Sequence, residues 1–119
     1  MENLSSVSAS ELTKKFRDGE ISATELTNSS LEAIHSQEEQ LDAYITVMDE
    51  AAKAQAAELD KRKAAGEKLG PLAGTTIAIK DNMATRGVKT TCASKMLENW
   101  VPVYDAKVIE QLRDADAII

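Results

Sequence analysis

The sequence predicts an α/β fold, with helices first and then the opening strands of a sheet. Three observations carry that expectation. Two Ser-x-x-Glu boxes and a run rich in Ala, Glu and Lys fall before residue 66. Two short apolar, β-branched runs follow, one starting at Thr75 and one at Ala117, with an amphipathic segment between them. Aromatic residues make up only 3% of the chain, so the interior must come from Leu, Ile, Val and many alanines, which favours closely packed helices over a small sheet. A chain of 119 residues is expected to be one folding unit or a piece of one.

Each element has a local reason. Ser8 and Glu11 fit a capping box, Leu12 and Phe16 then repeat at helical spacing, and Gly19 stops the run, which predicts a helix over about 9–18. Ser22 and Glu25 open a second helix, in which Leu26, Ser30, Ile34 and Leu41 fall near one face and should pack inward. Ala43 to Val47 reads as a strand or an extended link. From Asp49 to about Ala65 the strongest helix formers dominate, and Gly66 closes the helix. Gly70-Pro71-Leu72-Ala73-Gly74 breaks regularity before the strand-like Thr75 to Ile79, whose polar end is Lys80-Asp81-Asn82. Residues 83–104 have no clear period and read as a long loop with short helical pieces. Asp105 is the expected cap of a last helix with an apolar stripe of Val108, Ile109, Leu112 and Ala115, and Ala117-Ile118-Ile119 begins a second buried strand. Strand, helix and strand make a βαβ unit over about 75–119, a parallel pair that expects further strands on both sides.

Composition excludes several classes. A net charge of −6 argues against a basic surface for a nucleic-acid backbone, so any RNA contact is expected to be indirect. The single cysteine, Cys92, provides neither a disulfide framework nor a zinc knuckle, and suits a reducing cytosol. The start, Met1 to Ser6, lacks a basic segment followed by an apolar run, and no stretch approaches the roughly 20 apolar residues of a membrane span. A cytoplasmic protein with no membrane contact is the expectation. The glycines at 66, 70, 74 and 87 have the wrong spacing for a phosphate loop, and the acidic run from Glu38 to Asp42 cannot converge on one metal ion from successive helical positions.

Lys80 is the leading candidate for chemistry. It stands where an apolar strand turns polar, and ligand sites in open α/β sheets gather beyond such strand ends. Apolar neighbours disfavour an ammonium and can turn it into a base, although on pattern alone the commoner reading is a strand-exit lysine that reaches water. A base needs a nucleophile. Ser8 and Ser22 read as caps and Ser29, Ser30 and Ser36 as helical, which leaves Cys92 and Ser94. A Cys92–His35 pair carries little weight because His35 sits on a polar helix among Ser, Gln and Glu. Asp81 and Asn82 can orient the lysine or a substrate amide, or simply form the turn after the strand.

The segment Leu72-Ala73-Gly74-Thr75-Thr76-Ile77-Ala78-Ile79-Lys80-Asp81-Asn82 resembles the opening motif of the amidase-signature family. Gly87-Val88-Lys89-Thr90-Thr91-Cys92-Ala93-Ser94-Lys95-Met96-Leu97-Glu98-Asn99 and the Tyr104-Asp105-Ala106 turn are similar to its tRNA-dependent branch, the glutamine-hydrolysing subunits of amidotransferases. The resemblance implies that residues 1–119 are the N-terminal part of a single amidase domain. Helices would occupy about 9–65, followed by the first strands of the family's mixed sheet, with the chain truncated before the nucleophile. It further implies a Ser–cis-Ser–Lys triad in which Lys80 is the base, the two serines lying in a Gly/Ser-rich segment downstream. It implies no cofactor in the glutamine-hydrolysing subunit, with ATP and Mg used by a partner. The implied partners are the B and C subunits of the amidotransferase, with glutamine as substrate and the mischarged tRNA, carrying Glu or Asp, held through the first of these two. Where relatives usually have glycine between the last helix and the next strand, this sequence has Asp116. Two other readings stand beside this one: a stand-alone amidase of the same family acting on small amides, and a non-catalytic helical interaction module.

Overall fold

The computed structural model describes residues 4–119, and of Ser5 the backbone alone. The expectation drawn from Met1, Glu2 and Asn3, a start without a leader segment, lies outside them. The described residues form α1 (Ala9–Asp18), α2 (Ala23–Leu41), α3 (Asp49–Ala64) and α4 (Lys107–Asp114), with 3-10 turns at Leu4–Ser6 and Lys95–Leu97. None of these helices is long and apolar enough to cross a membrane.

The first two helices start where their capping boxes place them. Ser8 Oγ accepts the N–H of Glu11 at 3.3 Å while Glu11 Oε2 accepts the N–H of Ser8, and Ser22 and Glu25 repeat the exchange at 3.1 and 2.9 Å. Gly19 ends α1 in the left-handed conformation, φ 81°, and its N–H returns to the Phe16 carbonyl. An irregular link over residues 42–48 joins α2 to α3, so of the two readings of Ala43 to Val47 the link is the correct one.

α2 and α3 pack as an antiparallel hairpin, pinned at its far end by a contact that local sequence does not announce. Asp60, near the end of α3, accepts the N–H groups of Ala23 and Thr24 at 2.7 and 3.0 Å and the Thr24 hydroxyl at 2.6 Å. These are the unpaired donors at the positive end of α2, where a carboxylate is favoured. The core beneath the hairpin joins Phe16 of α1, Ala23 of α2, Ala52, Ala56 and Leu59 of α3, and Ala73 and Ile118. Small residues on α3 let α2 and α1 approach closely. Lys63 lies over the Phe16 ring at 4.3 Å and donates to the Phe16 carbonyl, so its stem roofs the one aromatic of the core.

The inward face of α2 runs through Ala23, Leu26, Thr27 and Leu31, with Ser30 and Ile34 half-buried. Leu41, expected on it, is 62% exposed. It is the last residue of α2, the chain turns away at Asp42 with φ 47°, and the link that follows is itself exposed, so nothing lies over it.

The α/β expectation is met in part. Thr75 to Ile79 and Ala117 to Ile119 run side by side and parallel, as a βαβ unit requires, but they meet in one isolated bridge between Thr76 and Ile118 and no extended strand forms among the described residues. Ile77 N–H donates to Ile118 O at 2.8 Å and Ile118 N–H to Thr75 O at 2.9 Å. The physical reason is what surrounds each segment. Ile119 sends its N–H and carbonyl to the Gln55 side chain of α3, at 3.1 and 3.2 Å, and the Thr75 and Thr76 hydroxyls pair with Thr13 and Ser30 of the helices. A sheet needs further strands to propagate, and among the described residues this pair has none beside it, while the Gln55 side chain takes the N–H and carbonyl of Ile119.

The start of α4 is a second correction. Ala106, not Asp105, occupies the cap position, with no side-chain bond to the helix. Asp105 instead accepts the Arg86 N–H at 2.7 Å and pairs with Arg113 at 3.1 Å, tying the long loop to α4. Ile109 is buried and Leu112 half-buried, as their stripe predicts, whereas Val108 is exposed.

The backbone at Asp116 explains why glycine suits this position, since its φ is 63°, a conformation costly for most side chains. The Asp116 carboxylate compensates by accepting Arg62 at 2.6 and 3.2 Å and the Gly70 N–H at 2.6 Å. Burial pushes this carboxyl up, but the Arg62 hydrogen bonds, the Gly70 N–H and the Arg62 charge together hold it below its ordinary value. The folded chain then binds fewer protons than the unfolded chain, so this stabilisation is present above about pH 4 and is lost as pH falls through the lower folded value. The expected result is a urea midpoint that drops below about pH 4 in the native chain and drops less in Asp116→Asn. Equal acid slopes in the two would show that the turn does not titrate.

Candidate active site

The Thr75 to Lys80 segment forms one wall of an open cleft of about 800 Å3, faced by Leu31 and Ile34 of α2 and by Ile45 and Met48 of the link. Its lining is mainly apolar, and Lys80 and Asp81 bring polar groups to it. Lys80 is exposed, so the apolar surroundings expected of it stand open to solvent. Its carbonyl accepts the Met83 N–H at 3.1 Å, closing the turn that ends the strand-like run.

Asp81 is the most heavily bonded residue of this wall. Its carboxylate accepts the Thr91 N–H at 2.8 Å, the Thr91 hydroxyl and the Ala93 N–H at 3.3 Å, while its carbonyl accepts the Cys92 N–H at 2.8 Å. The Thr91 hydroxyl, supported by the two N–H groups and opposed by burial, holds the Asp81 carboxyl below the usual carboxylate range. These bonds tie the turn after the strand-like run to a loop ten residues away. The loop it grips is unusual, since Cys92 and Ala93 are consecutive L-residues with φ 51° and 54°.

Among the described residues no hydrogen bond joins a candidate nucleophile to the Lys80 amine, although the Cys92 N–H reaches the neighbouring Asp81 carbonyl at 2.8 Å. Ser94 caps the 3-10 turn by accepting the Met96 N–H at 3.3 Å, Ser30 donates to Leu26 O and pairs with Thr76, and Ser36 donates to Ala33 O. Cys92 is exposed at the strained turn. His35 pairs with Asp49 at 2.6 Å across the hairpin, and that contact, not a thiol, is its described partner. Thr27 Oγ1, buried beside the cleft, is the one buried side-chain oxygen without a partner among the described residues. The described residues thus bring to the cleft an amine on a braced turn.

The chain belongs to the amidase family, whose model matches residues 25–119. The likeness is narrower than the family. The glutamyl-tRNA(Gln) amidotransferase A subunit of Carboxydothermus hydrogenoformans is 47% identical over 112 residues, which is 94% of this chain and 23% of that protein. The corresponding protein of Thermosynechococcus vestitus is 51% identical over 109 residues, 92% of this chain and 23% of that protein. Among solved structures, the native peptide amidase from Stenotrophomonas maltophilia superposes with a TM-score of 0.87 at 30% identity, over 95% of this chain and 23% of that one. The chain spans about a quarter of the length of the relatives it matches.

Proposed function

We propose that this chain is the N-terminal part of the glutamine-hydrolysing subunit of a tRNA-dependent amidotransferase. The observation that carries the reading is the difference in likeness, 47% and 51% toward glutamyl-tRNA(Gln) amidotransferase proteins against 30% toward a peptide amidase, over nearly the same share of the chain. In this reading glutamine is cleaved to glutamate and ammonia by a Ser–cis-Ser–Lys triad. Lys80 takes the proton of the nucleophilic serine through the middle serine, and backbone N–H groups stabilise the oxyanion. The ammonia passes to the tRNA-binding partner, which holds the mischarged tRNA and uses ATP and Mg, with the third polypeptide completing a cytoplasmic complex. In this reading the two serines belong to a Gly/Ser-rich segment that these 119 residues do not contain.

The test has two arms. The complete polypeptide that carries these residues, purified with the tRNA-binding partner, is expected to release ammonia from glutamine and to support amidation of Glu-tRNA(Gln) or Asp-tRNA(Asn). Hydrolysis of small amides without the partner, and no support of amidation, would establish the stand-alone amidase instead. The 119-residue chain by itself is expected to release no ammonia from glutamine. Turnover by that chain, abolished by a substitution within it, would place the nucleophile among these residues and overturn the triad.

A further inference from the structure

We propose that Asp81 is the positioning residue for Lys80, bracing the peptide they share against the strained Thr91–Cys92–Ala93 turn so that the amine leaves the chain toward the cleft. The proposal rests on the reading of Lys80 as the base. Four hydrogen bonds converge on Asp81, three on its carboxylate and one on its carbonyl, all from residues 91–93. Bonds to both its side chain and its backbone restrain Asp81 and the peptide it shares with Lys80, and so limit the direction in which the Lys80 side chain leaves the backbone.

What Asp81 is tied to is itself anchored. Thr90 and Thr91 are buried, and the Thr90 N–H donates to Trp100 O at 3.1 Å, so the clamp reaches from the cleft wall into packed structure. Positive φ at Cys92 and Ala93 turns the N–H groups of Thr91 and Ala93 onto one carboxylate, and a conformation disfavoured for residues with a Cβ persists where surrounding bonds over-determine it. Such strain gathers at functional sites, and this turn adjoins Lys80 at the polar end of the cleft wall. A carboxylate is needed here because two oxygens serve three donors. An asparagine has one acceptor oxygen, so its NH2 cannot accept from the second N–H and can meet the Thr91 hydroxyl only if that hydroxyl turns to accept.

The experiment uses the complete polypeptide in its amidotransferase complex, with glutamine hydrolysis and ammonia-driven amidation measured side by side. Asp81→Asn is expected to lower kcat for glutamine roughly 10- to 100-fold with KM changed less than about threefold, because a misplaced base impairs turnover and leaves substrate binding alone. Amidation driven by free ammonia should persist, which reports an intact assembly. Thr91→Val should reproduce part of the kcat loss, and Thr91→Ser, which keeps the hydroxyl, should recover most of it. If Lys80→Ala abolishes glutamine hydrolysis while Asp81→Asn keeps kcat within about threefold, this proposal falls and the reading of Lys80 stands. If Asp81→Asn loses ammonia-driven amidation as well, Asp81 serves the fold and the proposal also falls. Near-normal hydrolysis by Lys80→Ala would overturn the reading of Lys80 and this proposal together.

Discussion

Lys80→Arg in the complete polypeptide is expected to lose glutamine turnover as thoroughly as Lys80→Ala, by roughly 100- to 10,000-fold in kcat, the usual cost of removing a general base. The comparison separates charge from proton transfer. Arginine keeps a positive charge at the end of a similar stem, but a guanidinium stays protonated and cannot take a proton from a serine. A lysine whose only duty is to reach water from a strand end would tolerate either change, and an exposed position of that kind costs little stability. The loss should fall on kcat, with KM for glutamine little changed, and amidation with free ammonia should continue because it bypasses this site. Turnover near normal in Lys80→Arg would return Lys80 to the role of a strand-exit residue.

Gly74→Ala is expected to be strongly destabilising. A Cβ at Gly74 would lie 2.6 Å from both Cβ and Cγ of Phe16, and φ at this position is 83°. Phe16 has no exposed surface and carries Lys63 over its ring, so it cannot step aside without opening the core. Overpacking of this kind costs about 1–3 kcal/mol and left-handed backbone at an alanine about 1–2 kcal/mol, so a combined loss of roughly 2–5 kcal/mol is expected. Gly87→Ala is the control, since Gly87 has φ 74° but nothing within 4 Å of its added Cβ. It should show the backbone cost alone. Equal shifts of the urea midpoint in the two variants would mean that the contact between Phe16 and Gly74 relaxes freely.

The helical half of this fold was legible because its signals are local. A capping box, a left-handed glycine and a run of Ala, Glu and Lys each act within four or five residues, and α1, α2 and α3 begin and end within a residue or two of where those signals place them. What failed depended on partners distant in sequence. Whether Thr75 to Ile79 becomes a strand is decided by what lies beside it, and β-branched composition says only that it fits such a place. Asp105 carries the right side chain for a cap, but Arg86 and Arg113 claim it. Lys80 was visible as the polar end of an apolar run, whereas the clamp on its neighbour was not, because Thr91 and Ala93 resemble any loop residues until the chain folds back. The two consecutive residues of positive φ also escape notice, since neither is Gly, Asn or Asp.

The single parallel bridge bears on the order in which this molecule is assembled. The α2–α3 hairpin joins neighbours along the chain, so its contacts form after short loop closures. Thr76 and Ile118 lie about forty residues apart, and closing a flexible loop of that length costs roughly 3 kcal/mol of chain entropy, set against little more than a pair of hydrogen bonds at the bridge itself. Contact topology therefore makes the helical hairpin an early, self-nucleating unit and the cleft wall bearing Lys80 a late one. An element that lengthened the Thr76–Ile118 pairing by adding strands beside it would shift the balance toward closure and so couple the pairing to the ordering of the turn at Lys80.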